Sequence, residues 1–319
     1  MLSGIGGFAI AWANRVDPWT NVYGLARTLI ALAALLTLLF NPTTTMFHPA
    51  VGVPTGLKCG GENPLGFGLF CMPLNLELLR WLAIAGLALV ASGWRPRVTG
   101  VLHWWIQASL FWNAVLVDGG EQISMVLTLL LVPVTLLDSR KWHWSRREVS
   151  EPLTDGELAR RLMALVALVG VRVQMAAVYF HASAGKLKVE EWVDGSVLYY
   201  WFGNDTFGAA GLRRDLLWPI ISHPALAAIT TWAVLVGEAL LAGGLLVDRR
   251  HWKYFLWTGL LFHFGIIVAH GLPAFAMAMW AGLTLMYRPA DQPYDFASWL
   301  RLLDPRRLWS SRVSTRAHS

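Results

Sequence analysis

Residues 162–195, LMALVALVGVRVQMAAVYFHASAGKLKVEEWVDG, decide the fold. An apolar run of about 20 residues, enough for one bilayer-spanning helix, continues without a break into a segment holding His181, Lys186, Lys188, Glu190, Glu191 and Asp194. Two lysines, a histidine and three carboxylates are thereby delivered to the place where a helix leaves the membrane.

The rest of the chain reads the same way. Hydrophobic residues make up 55% and charged residues 14% of its 319 residues, and its mean hydropathy is +0.48. A soluble domain carries about 25% charged residues. Seven further apolar runs, roughly 22–40, 78–94, 98–117, 123–137, 224–247, 254–271 and 273–288, join the run at 161–183. The expected fold is an all-α, polytopic membrane helical bundle with about eight transmembrane helices, in a multi-pass position in a cell membrane. Many of the 18 tryptophans, including Trp19, Trp94, Trp192, Trp218 and Trp252, fall at run ends, where an interfacial aromatic belt is expected.

The net charge of +6 does not point to nucleic acid, because the basic residues occupy alternate connections. Arg95, Arg97, Arg140, Lys141, Arg146, Arg147, Arg160, Arg161, Arg249, Arg250 and Lys253 share one side with Arg288 and the arginines that follow it. The positive-inside bias places that side and both termini in the cytoplasm. Loops 41–77, 118–122 and 184–223 then face outward. Cys59 and Cys71 both lie in the first of these, either as a disulfide or as two free thiols. Their spacing fits no metal site. The segment before the first span has no basic start and reads as surface-lying rather than as a cleaved signal. Residues 291–319 read as an amphipathic tail, with an in-plane helix at 296–303 and disorder beyond Arg312.

Ionisable residues inside spans are functional candidates. Arg172, Glu238 and His263 each lie about ten residues from a cytoplasmic span end, so an Arg172–Glu238 ion pair near His263 is expected at the midplane, as a helix-register pin or as chemistry. Arg172, Tyr179 and Lys186 recur every seven residues and share a face; His181 and Lys188 lie on another. His181, Lys186, His270 and Asn113 are expected to line an outward-opening polar cavity, with Asp118 and Glu121 at its rim. No zinc-binding His-Glu-x-x-His, phosphate-binding glycine loop or nucleophile elbow occurs. No internal repeat of the kind found in many transporters is evident.

The run Tyr179-Phe180…Gly185-Lys186-Leu187…Trp192-Val193-Asp194-Gly195 resembles a segment of vitamin K-dependent gamma-carboxylase and of the horizontally transferred transmembrane (HTTM) domain. Tyr23-Gly24-Leu25-Ala26-Arg27, Asp118-Gly119-Gly120, Glu238, and His263 followed by Pro273-Ala274-Phe275-Ala276-Met277 agree with it. It covers residues 1–290. Chain length and Tyr199-Tyr200-Trp201 look most like the sporulation-delaying protein B (SdpB) family. The carboxylase resemblance implies a lysine that deprotonates a reduced quinone. That role falls on Lys186, which keeps the Lys-Leu step, with Lys188 as a rival because the Lys186–Trp192 stretch is one residue longer here. The other catalytic candidates are His181, His270, Glu238, His263 and Arg172, with Tyr179, Trp192, Asp118, Glu121 and Asn113 against the substrate.

The SdpB resemblance implies a membrane factor for maturation or export of a secreted antimicrobial peptide. It would act on the toxin peptide precursor at the extracytoplasmic side, with a small SdpA-like partner protein. A quinol-dependent carboxylase or oxygenase, and a transporter or channel gated by the midplane pair, are the alternatives.

Overall fold

A computed structural model describes residues 2–49, 56–60, 68–115, 117–147, 152–204 and 208–296. Among them the chain forms thirteen α-helices in the order α1 (Leu2–Arg15), α2 (Asn21–Phe40), α3 (Thr43–Met46), α4 (Leu76–Ser92), α5 (Pro96–Asn113), α6 (Gly119–Leu137), α7 (Asp155–Lys186), α8 (Glu190–Val193), α9 (Val197–Gly203), α10 (Leu212–Ile221), α11 (Pro224–Gly243), α12 (Trp252–His270) and α13 (Pro273–Tyr287). The eight longest after α1 coincide with the eight apolar runs. Five of them, α2, α6, α7, α11 and α12, are long and apolar enough to cross a membrane, while α13 is a shorter apolar helix.

Local chemistry sets the ends. Asn75 caps α4 by accepting from the backbone of Glu77 and Leu78, and Gly93 at φ +90° stops it. Asp118 and Glu121 form a reciprocal capping box on α6. Thr154 caps α7 by accepting from Glu157, and proline opens α5, α11 and α13.

The bundle is inverted relative to a soluble one. Its interior combines apolar clusters with buried polar groups such as Arg27, His103, Gln107, Glu238 and His263, and its outward face shows large apolar residues. On α7 the exposed stripe is Met163, Val166, Val169, Val173 and Phe180, and α12 exposes Trp257, Leu261 and Phe264. An apolar surface of that extent is satisfied by lipid. Helix α13 is the central element, enclosed by α2, α6, α7 and α12. Close approach there depends on glycine: a methyl group on Gly282 would strike the Met175 side chain of α7. A second apolar cluster joins α2, α4 and α5 with residues 46–47 and 69–70. Cys59 and Cys71 are bonded, at S–S 2.08 Å, and close their loop beside that cluster.

The described ends meet at one end of the bundle. Asn21, which opens α2, exchanges two hydrogen bonds with the backbone of Tyr294, at 2.7 and 2.8 Å. Helix α1 lies along the start of α7, where Arg161 donates to the Ala13 carbonyl at 3.1 Å. The aromatic-belt expectation needs correction at three positions. Trp19, Trp192 and Trp252 are buried. Trp19 donates to the Val134 carbonyl at 2.9 Å and lies beneath Arg147. A run-end tryptophan thus closes the helix bundle as readily as it meets the interface, because its ring packs and its N–H finds a carbonyl. Of the tail expected at 291–319, residues 291–296 are described and Tyr294 is held to Asn21, while the rest lies outside the described residues.

Candidate functional site

Helix α7 has 32 residues, about 48 Å at 1.5 Å per residue, more than a bilayer core requires. Gly185 does not interrupt it, so the seven-residue stripe persists to its last turn and Tyr179, Ser183 and Lys186 share one face. That face meets α11 and α12. Lys186 Nζ lies 2.7 and 2.6 Å from the two carboxylate oxygens of Glu238, and the Ser183 hydroxyl donates to the Leu235 carbonyl at 3.0 Å. Helix side chains lean toward their own N-terminus. The lysine therefore reaches back into the bundle and meets a carboxylate deeper than its own Cα. Its side chain keeps 23% exposure against 9% for Glu238.

The other face of the amine is covered by Trp192 of α8, whose ring centroid lies 5.1 Å from Nζ. Trp192 is held there by the segment that follows it. Gly195 adopts φ +84°, and a Cβ on it would collide with the Ala228 backbone of α11. Its carbonyl accepts from Thr231 at 3.0 Å. Asp194, outside the helices, accepts from the Ser196 backbone at 2.8 Å, and hydrogen bonds from Ser196 hold its carboxyl below the usual range. A cavity of about 380 Å³ lined by Asp194, Ser196, Tyr199 and Ser222 opens beside this lid.

Two turns deeper, the Tyr179 hydroxyl and His263 Nε2 are 2.8 Å apart, both buried. His263 Nδ1 is buried without a hydrogen-bond partner. Glu238 lies within electrostatic reach of the tyrosine. The Lys186–Glu238 pair and the Tyr179–His263 pair thus lie two turns apart along α7, joining it to α11 and to α12 respectively.

The structure corrects the expected midplane pair. Arg172 is 14 residues before Lys186, about 21 Å along α7, at the level where α12 begins and α13 ends. Its Nε donates to the Leu285 carbonyl at 3.3 Å and its guanidinium covers Trp252 at 5.1 Å. Glu238 pairs with Lys186 instead. The expected cavity does not assemble either. His181 is exposed beside Phe180, and Lys188 is exposed. His270 packs on Phe202 at 5.0 Å. Asn113 is buried in the α2–α4–α5 layer, where its amide donates to the Lys58 carbonyl at 3.2 Å and anchors the disulfide loop. Asp118 and Glu121 act as the α6 cap, with Thr37 donating to Glu121 at 3.4 Å.

A second polar centre was not singled out from the sequence as a site. Arg27, fully buried on α2, donates to the Thr99 hydroxyl at 2.5 Å and to His143 Nδ1 at 3.4 Å, while His143 Nε2 lies 3.2 Å from Thr28. Burial, with Arg27 and Arg140 beside it, pushes the His143 imidazole down to about 2. It is therefore a neutral acceptor for Arg27. Arg140 binds the buried Asp138 at 2.8 Å and the carbonyls of His143 and Ser145 at 2.8 and 3.0 Å, stitching residues 138–145 across the helix ends. An arginine six residues into the first apolar helix was the available signal.

Lys186 Nζ is enclosed by both oxygens of Glu238 on one side and by Trp192 on the other. Among the described residues no group of three or more metal-binding side chains occurs.

The chain is 40% identical over 319 residues to the uncharacterized protein YitO of Bacillus subtilis (strain 168), a match covering 98% of this chain and 100% of that protein. It is 36% identical over 286 residues to the sporulation-delaying protein SdpB of the same organism, covering 88% of this chain and 85% of that protein. No family model and no solved structure matches.

Proposed function

The chain belongs to the family of sporulation-delaying protein SdpB, and on that premise we propose that it is a multi-pass membrane factor for maturation or export of a secreted antimicrobial peptide of the sporulation-delaying type. In this reading all eight long helices cross the bilayer, both termini are cytoplasmic, and the peptide precursor meets the Lys186 end from outside, with a small SdpA-like protein as partner. The observation that carries it is the Lys186–Glu238 pair under Trp192, at the end of α7 opposite the basic loops. An amine held by a carboxylate at the edge of an apolar bundle is a proton donor and acceptor that needs only a small movement to engage a substrate. In this reading Tyr179 and His263, bonded to each other two turns away along α7, take the proton onward.

Mass spectrometry of the exported peptide, from cells with this protein, without it, and with Lys186→Met, tests the reading. Mature peptide is expected only in the first. Identical peptide in all three would reject the proposal, and a mass increment of one carbon dioxide, dependent on the protein, would favour the carboxylase alternative. Sidedness is tested with single cysteines at Ser196 and Ser145 in a background lacking Cys59 and Cys71. An impermeant thiol reagent is expected to label position 196 in intact cells and spare position 145.

A further inference from the structure

At the basic end of the bundle, between α2, α12, α13 and residues 288–296, lies a cavity of about 770 Å³, within the range of about 300–1,000 Å³ typical of ligand sites. Its lining changes with depth. Four cationic side chains, Arg249, Arg250, Lys253 and Arg288, and one carboxylate, Asp295, stand around its mouth, while Leu260 and Trp280 lie inside. Leu260 is eight residues into α12 from Trp252, and Trp280 is eight residues before Arg288. At 1.5 Å per residue the apolar part extends about 12 Å from the charged rim along both helices.

The cations are not equivalent. Arg249 pairs with Asp291 at 3.1 Å and Arg250 with Asp248 at 3.5 Å. Lys253 and Arg288 have no carboxylate partner among the described residues. Lys253 stacks on Tyr254 at 5.0 Å, and Arg288 covers Tyr294 at 4.7 Å while donating to the Gln292 and Pro293 carbonyls at 2.7 and 3.3 Å. Beside the mouth, α12 turns Tyr254, Trp257 and Leu261 outward on the apolar surface of the bundle.

We propose that this cavity binds one anionic phospholipid, with its phosphate headgroup at Lys253 and Arg288 and the start of its acyl chains along Leu260 and Trp280. A cavity charged at one end and mainly apolar for about 12 Å beyond it, with Thr284 and Tyr287 also in its lining, matches an amphiphile better than a soluble anion or a neutral ring. Basic pockets between membrane helices recognise lipid phosphate by this charge complementarity.

The test is native mass spectrometry of the full-length protein, extracted in mild detergent and offered equal amounts of phosphatidylglycerol and phosphatidylcholine. Preferential retention of phosphatidylglycerol is expected. Lys253→Gln should lower it about fivefold, the factor carried by one basic residue near a membrane surface. Adding Arg288→Gln should lower it further, Lys253→Arg should preserve it, and Lys141→Gln, an exposed control, should leave it unchanged. Lys253 is exposed, so its single variant decides the matter if the double variant is unstable. Equal retention of both lipids, or wild-type retention by Lys253→Gln, would overturn the proposal. So would thermal protection by soluble glycerol phosphate as strong as by the lipid, which would indicate a free-anion site. Retention seen only after truncation behind Phe296 would mean that the C-terminal segment fills the cavity, and would overturn it as well.

Discussion

Two polar centres at opposite ends of the bundle treat buried charge differently. Around Arg27, His143 and Arg140 the groups are buried and most of their hydrogen bonds go to structure. Arg140 spends its guanidinium on Asp138 and two carbonyls, and a neutral imidazole answers Arg27, although Arg27 Nε and the Tyr23 hydroxyl are left over. Around Lys186 the amine retains partial exposure, faces one carboxylate, and is covered by an aromatic ring rather than by more hydrogen bonds. His263, close by, keeps an unused ring nitrogen. The first arrangement fixes loop 138–145 to the helix ends. The second leaves a partly exposed amine beside a single carboxylate. Burial of charge alone therefore does not mark a reactive site; residual capacity and access do.

The sharpest way to break this contrast is at Lys186 itself. Lys186→Met should reduce peptide maturation to the level of cells lacking the protein while the chain still accumulates in the membrane. Lys188→Met, altering an exposed lysine, should retain most activity. Normal maturation by Lys186→Met would make the lysine structural and erase the difference between the two centres.

Arg140→Met should do the reverse. It strands the buried Asp138 carboxylate, so unfolding stability in detergent should fall by about 3–5 kcal/mol, while the folded fraction still matures peptide. Loss of activity without loss of stability would assign the basic end a direct role.

Glu238→Gln should cost less, about 1–3 kcal/mol, because Lys186 is partly exposed and can turn to water once its partner is neutral. The Lys186→Met/Glu238→Gln pair should lose less than the sum of the singles. Strict additivity would argue against the observed contact.

A further test is in pH. The His143 value in the folded chain, about 2, lies below the ordinary value of about 6.5. The unfolded chain therefore takes up the proton first on acidification. The contribution is fully present above about pH 6.5 and declines as pH falls from there toward 2, with a slope of at most about 1.4 kcal/mol per pH unit. His143→Gln should flatten the acid limb of a melting-temperature profile between pH 6.5 and 5. An unchanged limb would mean that the imidazole takes up a proton in the folded protein as readily as in the unfolded one.

Several features followed from the sequence alone. Apolar run length located the eight long helices, because a helix that satisfies its own backbone needs only enough apolar side chains in a row. The seven-residue recurrence put Tyr179 and Lys186 on one face, because helical periodicity is local. Both cysteines were placed in one loop, but only the folded chain joined them. The partner of Glu238 was not legible. Arg172 and Lys186 share the same stripe, so periodicity could not choose between them; the choice depended on where α7 begins, on its passage through Gly185, and on a lysine leaning back along its own helix. Asn113, Asp118 and Glu121 looked like cavity residues because their neighbours across space were unknown; packing made them a loop anchor and a helix cap. Sequence determines which side chains share a face and which segments prefer lipid, since both are properties of one helix. Tertiary structure alone decides which charges meet, since that depends on the depth and crossing of helices distant along the chain.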